Sequence, residues 1–266
     1  MKPYLDLLRD IRDNGRWSQN RTGIRTKKVV GRTMSFALMR GMTKILPMVT
    51  TRKIYFNPGM KELLWFLRGS TSQIELKFDG VGIWDAWANN GELGPIYGHQ
   101  WRRFPAGEYF NNLTDDELIA YIDHMAADQT RMLQRENTLD GRRKELTDIG
   151  IDQISQALFL LKNRPNSRRI IITAWNPQVV PSDDISPQKN VELGRAALAS
   201  CHCLAQFVTE ELSEEERLEL CPPVDSRSQA YKEGVVPSTL LNELNIPRFK
   251  LNCVMYQRKQ YCAIAA

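Results

Sequence analysis

The sequence predicts an α+β fold, and three observations carry that reading. Apolar residues recur at helical spacing in separated segments, strand-like apolar runs gather in the second half, and no stretch repeats another. With 266 residues the chain can bury a sizeable core. Its 42% apolar and 25% charged composition is that of an ordinary soluble globular protein.

The first helix is expected from Pro3 to Asp13, with Leu5, Leu8 and Ile11 on one face and Gly15 closing it. Residues 27–39 favour a strand pair kinked at Gly31. A second helix opens at Pro58, a good first-turn residue, and stops at Gly69. A third spans Ile151 to Lys162, with Ile151, Ile154, Leu158 and Leu161 inward and Pro165 beyond its end. Strands follow at 168–175, 202–209 and 249–257, the last read as a core strand. Two polar segments, 105–148 and 210–248, read as surface elaborations of a single domain covering 1–266. In the first, Thr114 and Glu117 form a capping box ahead of Leu118, Ile122, Met125 and Met132. In the second, "EELSEEERLEL" suits a solvated acidic helix.

Several function classes fall away. The longest apolar runs are far short of the ~18 residues that a membrane span needs. The N-terminus mixes both charge signs and has no apolar signal region. Five cysteines (201, 203, 221, 253 and 262) without a CxxC indicate neither a disulfide framework nor a zinc ribbon, so a cytoplasmic protein with reduced thiols is expected. The formal charge of +5 suits a small anion, and no basic stripe interleaved with aromatics argues for nucleic acid.

Four features could carry chemistry. Glu62 sits among Leu63, Leu64, Trp65, Phe66 and Leu67; turned inward, its carboxyl would be raised toward a general acid/base, although an exposed glutamate is the commoner case. Cys201 and His202 enter a strand, where a cysteine can serve as nucleophile or as a small buried hydrophobe. A metal reading of Cys-His-Cys is poorer, because consecutive strand residues face opposite ways. Arg21, Arg168, Arg169 and Arg258 are single surface charges one by one, but together they offer planar forks for a phosphate. Trp84, Trp87, Tyr97 and Trp101 lie in a glycine-punctuated stretch, suited to stacking a heterocycle or to a secondary core.

In order along the chain stand "NRTGIRT", "PMVTTRK", "KELLWFLRG", "IWDAWA", "ELGPIYGHQWR", "NSRRIIITAWNP", "SCHCLAQF" and "YQR". With these motifs the chain resembles the thymidylate synthase family. The resemblance implies a twisted mixed β-sheet flanked by helices, with one sheet face forming a homodimer interface. It implies reductive methylation of dUMP to dTMP, with 5,10-methylenetetrahydrofolate as one-carbon donor and reductant and no metal. Cys201 would attack C6 of the uracil ring, Glu62 would order proton-carrying waters, Tyr97 would assist loss of the C5 proton, and His202 would support the water network. Arg21 and Arg258 of one subunit, with Arg168 and Arg169 of the other, would hold the phosphate, and Gln257 would contribute to the nucleotide site. Ile83, Trp84 and Trp87 would line the folate site, with Arg52 near its glutamate tail.

The chain also departs from the family's pattern. Ser200 stands where the family usually has proline. After Arg258 the family continues with serine, another residue and aspartate, whereas this chain has Lys259, Gln260 and Tyr261. A base-reading asparagine, a ribose-binding His/Tyr pair and a closing tail have no counterpart. Residues 259–266 are therefore expected to be foreign to the fold, from intron read-through, a frameshift or a split gene. Two rival readings follow: a dUMP or dCMP hydroxymethylase, and a catalytically inactive truncated fragment that dimerises or binds RNA through its basic face.

Overall fold

The computed structural model describes residues 2–19, 25–40, 43–123, 138–221, 241–242 and 245–257. Met125, Met132, the Pro/Ser-rich stretch 222–240 and the 259–266 tail lie outside them. The helices are α1 (Lys2–Asn14), α2 (Phe56–Leu67), α3 (Gln73–Phe78), α4 (Tyr97–Arg102), α5 (Asp115–Asp123), α6 (Leu139–Ile149), α7 (Gln153–Asn163), α8 (Pro187–Glu192) and α9 (Glu214–Glu219). The strands are β1 (Arg16–Ser18), β2 (Thr26–Lys28), β3 (Met39–Arg40), β4 (Thr43–Lys44), β5 (Ile171–Thr173), β6 (His202–Glu211) and β7 (Phe249–Gln257). This is an α+β architecture. Two compact units divide it: the described residues within 1–54 and 209–252 form one, and those within 55–208 and 253–257 form the other.

In the first unit α1 buries Ile11, with Leu5 and Leu8 half-buried beside it, and the Gly15 N–H closes the helix on the Ile11 carbonyl at 3.0 Å. The expected strand pair across 27–39 does not form. β2 ends at Lys28 and pairs antiparallel with β1, Arg16 opposite Lys28, while β3 and β4 make a separate short hairpin. The reason lies at Gly31, whose φ of +70° turns the chain. Arg32 locks that turn, donating to the Val30 carbonyl at 3.2 Å and to Asp10 of α1 at 2.6 Å. The acidic helix α9 forms as expected on a reciprocal cap: Ser213 Oγ accepts from the Glu216 N–H, and Glu216 accepts from the Ser213 N–H.

The second unit is built on an aromatic core. α2 begins at Phe56, two residues ahead of Pro58, because a first-turn N–H has no helical partner to lose. It buries Trp65 and Phe66 against Leu76, Val81, Trp84, Leu93, Ile96 and Tyr97. β5 and β6 pair antiparallel, with Ile172 opposite Ala205, and β7 lies beyond β6. Under β5 and β6, helix α7 packs Ala157 against Ile170, Ile172 and Phe207. Asp152 caps α7 by accepting from the Ser155 N–H at 3.0 Å, so the helix starts later than expected and Ile151 lies outside it. Ala157 takes the inward position, and Leu158, one step further round, is exposed.

The 105–148 segment carries a small core of its own. Phe110, Leu118, Ile122 and Leu146 are buried together, and the Thr114–Glu117 capping box forms as expected. A two-way backbone bridge between Phe104 and Ile151 pins the segment at its base. Gly150 makes that closure possible: with φ at +91°, a Cβ would lie 2.6 Å from the Phe104 carbonyl oxygen.

β7 spans 249–257 as expected but is not a core strand. None of its side chains is buried, and Val254 and Tyr256 are 60% and 65% exposed. Among the described residues, no layer covers it.

Candidate active site

α2 presents Glu62 one turn before the buried Trp65 and Phe66, which fixes the direction of its side chain. The Trp84 indole Nε1–H donates to Glu62 Oε1 at 2.7 Å. Burial raises the Glu62 carboxyl above the usual carboxylate range, and the hydrogen bond from Trp84 pulls partly against that rise. The inward reading of Glu62 therefore holds.

Rings connect this pair to the strand that follows Cys201. Phe66 lies 6.2 Å from Trp84 edge-on and 4.8 Å from Tyr97, ring centre to ring centre. Tyr97 opens α4, is itself buried, and accepts the Cys201 backbone N–H on its hydroxyl at 2.6 Å. Burial pushes the Tyr97 phenol up to about 12, against the pull of the hydrogen bond from the Cys201 N–H. It is thus a neutral hydroxyl at physiological pH. His202 follows on the exposed side of β6, 5.8 Å from the Tyr97 ring, and partial loss of water lowers its pKa below the usual histidine value. Cys203 faces the other way and is buried, as strand alternation requires.

The predicted ligand residues divide. Ile83 is exposed and Trp87 half-buried, standing edge-on to Trp84 at 5.9 Å. Arg168 and Arg169 are exposed just ahead of β5, and Gln257 is exposed at the end of β7. Arg52 is exposed in the other unit. Arg21 and Arg258 lie outside the described residues. Among the described residues, no three His, Cys, Asp or Glu side chains gather to hold a metal ion.

A family model described as thymidylate synthase matches residues 2–265. The chain belongs to the thymidylate synthase family. A thymidylate synthase of Francisella philomiragia subsp. philomiragia is 41% identical over 208 residues, and one from Francisella tularensis subsp. holarctica is 40% identical over the same length. Each alignment takes in 78% of this chain and 59% of the relative, so the chain spans less than two thirds of these curated relatives.

The sequence reading missed the polar frame behind the site of this family member. Gln100 is buried; its Nε2 donates to the Pro95 carbonyl at 2.9 Å and its Oε1 accepts from Asn176 at 3.2 Å. Gln153 donates to the Gln100 and Thr173 carbonyls at 2.7 and 2.8 Å and accepts from the Thr173 N–H. These amides join the start of α4, which carries Tyr97, to the β5 end beside the 200–203 stretch. The available signal was amide side chains set within the apolar motifs "GHQWR" and "TAWNP".

Proposed function

We propose that this chain carries out the reductive methylation of dUMP to dTMP as a homodimer, using 5,10-methylenetetrahydrofolate. One observation carries the reading: the backbone of Cys201 is held on the Tyr97 hydroxyl, in the same ring cluster that holds Glu62 against Trp84. The Cys201 thiolate adds to C6 of the uracil ring, forming an S–C6 bond as the C5–C6 π electrons move to the C5–C4–O4 enolate. C5 is thereby made nucleophilic. 5,10-Methylenetetrahydrofolate supplies the one-carbon unit and the hydride. Glu62, protonated to higher pH than an ordinary glutamate, donates and recovers protons through water. Tyr97, as a neutral hydroxyl, relays the C5 proton to water rather than binding it as a phenolate. Departure of the Cys201 sulfur then restores the C5–C6 double bond.

The exposed Ile83, the half-buried Trp87 and the edge of Trp84 suit a flat folate ring, and Arg52 supplies charge for the glutamate tail. Arg168 and Arg169 reach the phosphate of the neighbouring copy, alongside that copy's Arg21 and Arg258. The sheet supports such a pairing. Ile171, Leu204, Val208, Val254 and Tyr256 leave apolar surface open on β5, β6 and β7, and a self-complementary two-fold contact would cover it, in keeping with a twisted mixed sheet whose face forms the interface. In this reading 1–266 acts as one domain elaborated at 105–148 and 210–248.

Incubation with C5-tritiated dUMP and 5,10-methylenetetrahydrofolate tests the proposal. Tritium release with dihydrofolate as co-product is expected. A folded sample that releases none contradicts it, and release with tetrahydrofolate as co-product points instead to hydroxymethylation.

A further inference from the structure

Ser200, immediately before Cys201, is buried, and its hydroxyl donates to the Ala174 carbonyl at 3.0 Å. Ala174 also donates its own N–H to the Cys203 carbonyl at 2.9 Å, and Thr173 Oγ1 donates to that carbonyl at 3.0 Å. The end of β5 thus grips both ends of the four-residue stretch 200–203. Within the grip, Cys203 Sγ lies 3.4 Å from the Ser200 carbonyl oxygen, and the Cys201 N–H is bound by Tyr97. Cys201 sits in the middle of a bend closed at each end.

We infer that Ser200 is a positioning residue for Cys201, its side chain doing by hydrogen bond what a proline ring does by covalent restraint. A proline at this position fixes its own φ near −65° whatever surrounds it. Serine leaves φ free, so the same restraint has to come from a partner, and the buried Ala174 carbonyl is that partner. Loss of the hydroxyl removes the clamp and leaves the carbonyl without this donor. The inference rests on the reading of Cys201 as nucleophile; its test does not depend on turnover alone.

Ser200→Ala and Ser200→Pro separate positioning from packing. In Ser200→Ala, amide hydrogen exchange at Cys201 and His202 is expected to quicken by roughly threefold to tenfold, the range of a single hydrogen bond. Tritium release should fall by a similar factor in kcat with KM for dUMP unchanged, because binding groups are untouched. Ser200→Pro, which has no hydroxyl but restores the restraint, should return both readouts to native values. Native exchange in Ser200→Ala, or a Ser200→Pro variant that exchanges as fast as Ser200→Ala while melting at the native temperature, overturns the inference. A chain that releases no tritium but shows the expected exchange pattern keeps the clamp and removes the proposed reaction.

Discussion

The aromatic cluster around Tyr97 and the outer face of the β5–β6–β7 sheet are finished to different degrees. In the first, Trp65, Phe66, Trp84 and Tyr97 are buried and the polar atoms at its edge have partners. In the second, apolar side chains of all three strands face water. Neighbouring residues show the contrast at its sharpest: Ile172 is 8% exposed against α7, whereas Ile171 on the opposite face is 40% exposed. A single copy completes the surroundings of its cysteine; in the proposed dimer, the open surface is where a second copy would bring its arginines.

The largest effect expected on the finished side is Cys201→Ser, which should lower tritium release by about 10⁴-fold, the scale of a lost nucleophile, with little change in melting temperature. Glu62→Gln should cost about 10²–10⁴-fold in kcat and remove the limb of the pH profile in which activity falls as the carboxyl loses its proton. Trp84→Phe sharpens this point. It deletes the hydrogen bond that opposes the rise in the Glu62 pKa, so the limb should move to higher pH. Stability follows the same sign. A carboxyl whose folded pKa lies above its unfolded value contributes most below the unfolded pKa and less as pH rises through the folded one, and Glu62→Gln should flatten that decline.

The two sheet faces supply the smaller effects. Ile172→Ala should lower unfolding stability by about 2–5 kcal/mol at any protein concentration, as for a core deletion, in denaturant titration. Leu204→Asp on the open face should leave folding nearly intact and weaken association by about 30-fold or more, seen as a monomer shift in sedimentation. Equal behaviour of the two variants would erase the distinction between the faces.

Where local periodicity decides an element, the sequence is a good guide. α1, the acidic α9 and the full extent of β7 follow from spacing, caps and strand composition, and strand alternation separates His202 from Cys203. Tertiary partners decide the rest. A glycine turn tied down by Arg32 and Asp10 breaks the expected strand after Lys28, and the late cap at Asp152 leaves Leu158 in solvent. Exposure of β7 could not be read from its composition, since an exposed apolar strand and a core strand look alike. The Glu62–Trp84 pair spans 22 positions and the Tyr97–Cys201 contact 104, distances over which a single sequence holds no local signal.

The central claim is that a working site draws its thiol from one copy and two of its arginines from another. Mixing Cys201→Ser chains with chains carrying Arg168→Ala and Arg169→Ala tests it directly, since each parent should be inactive alone. Random re-pairing should restore tritium release to about a quarter of the native value, from mixed dimers with one intact site. Mixtures that stay as inactive as their parents, under conditions where the chains exchange, would contradict it.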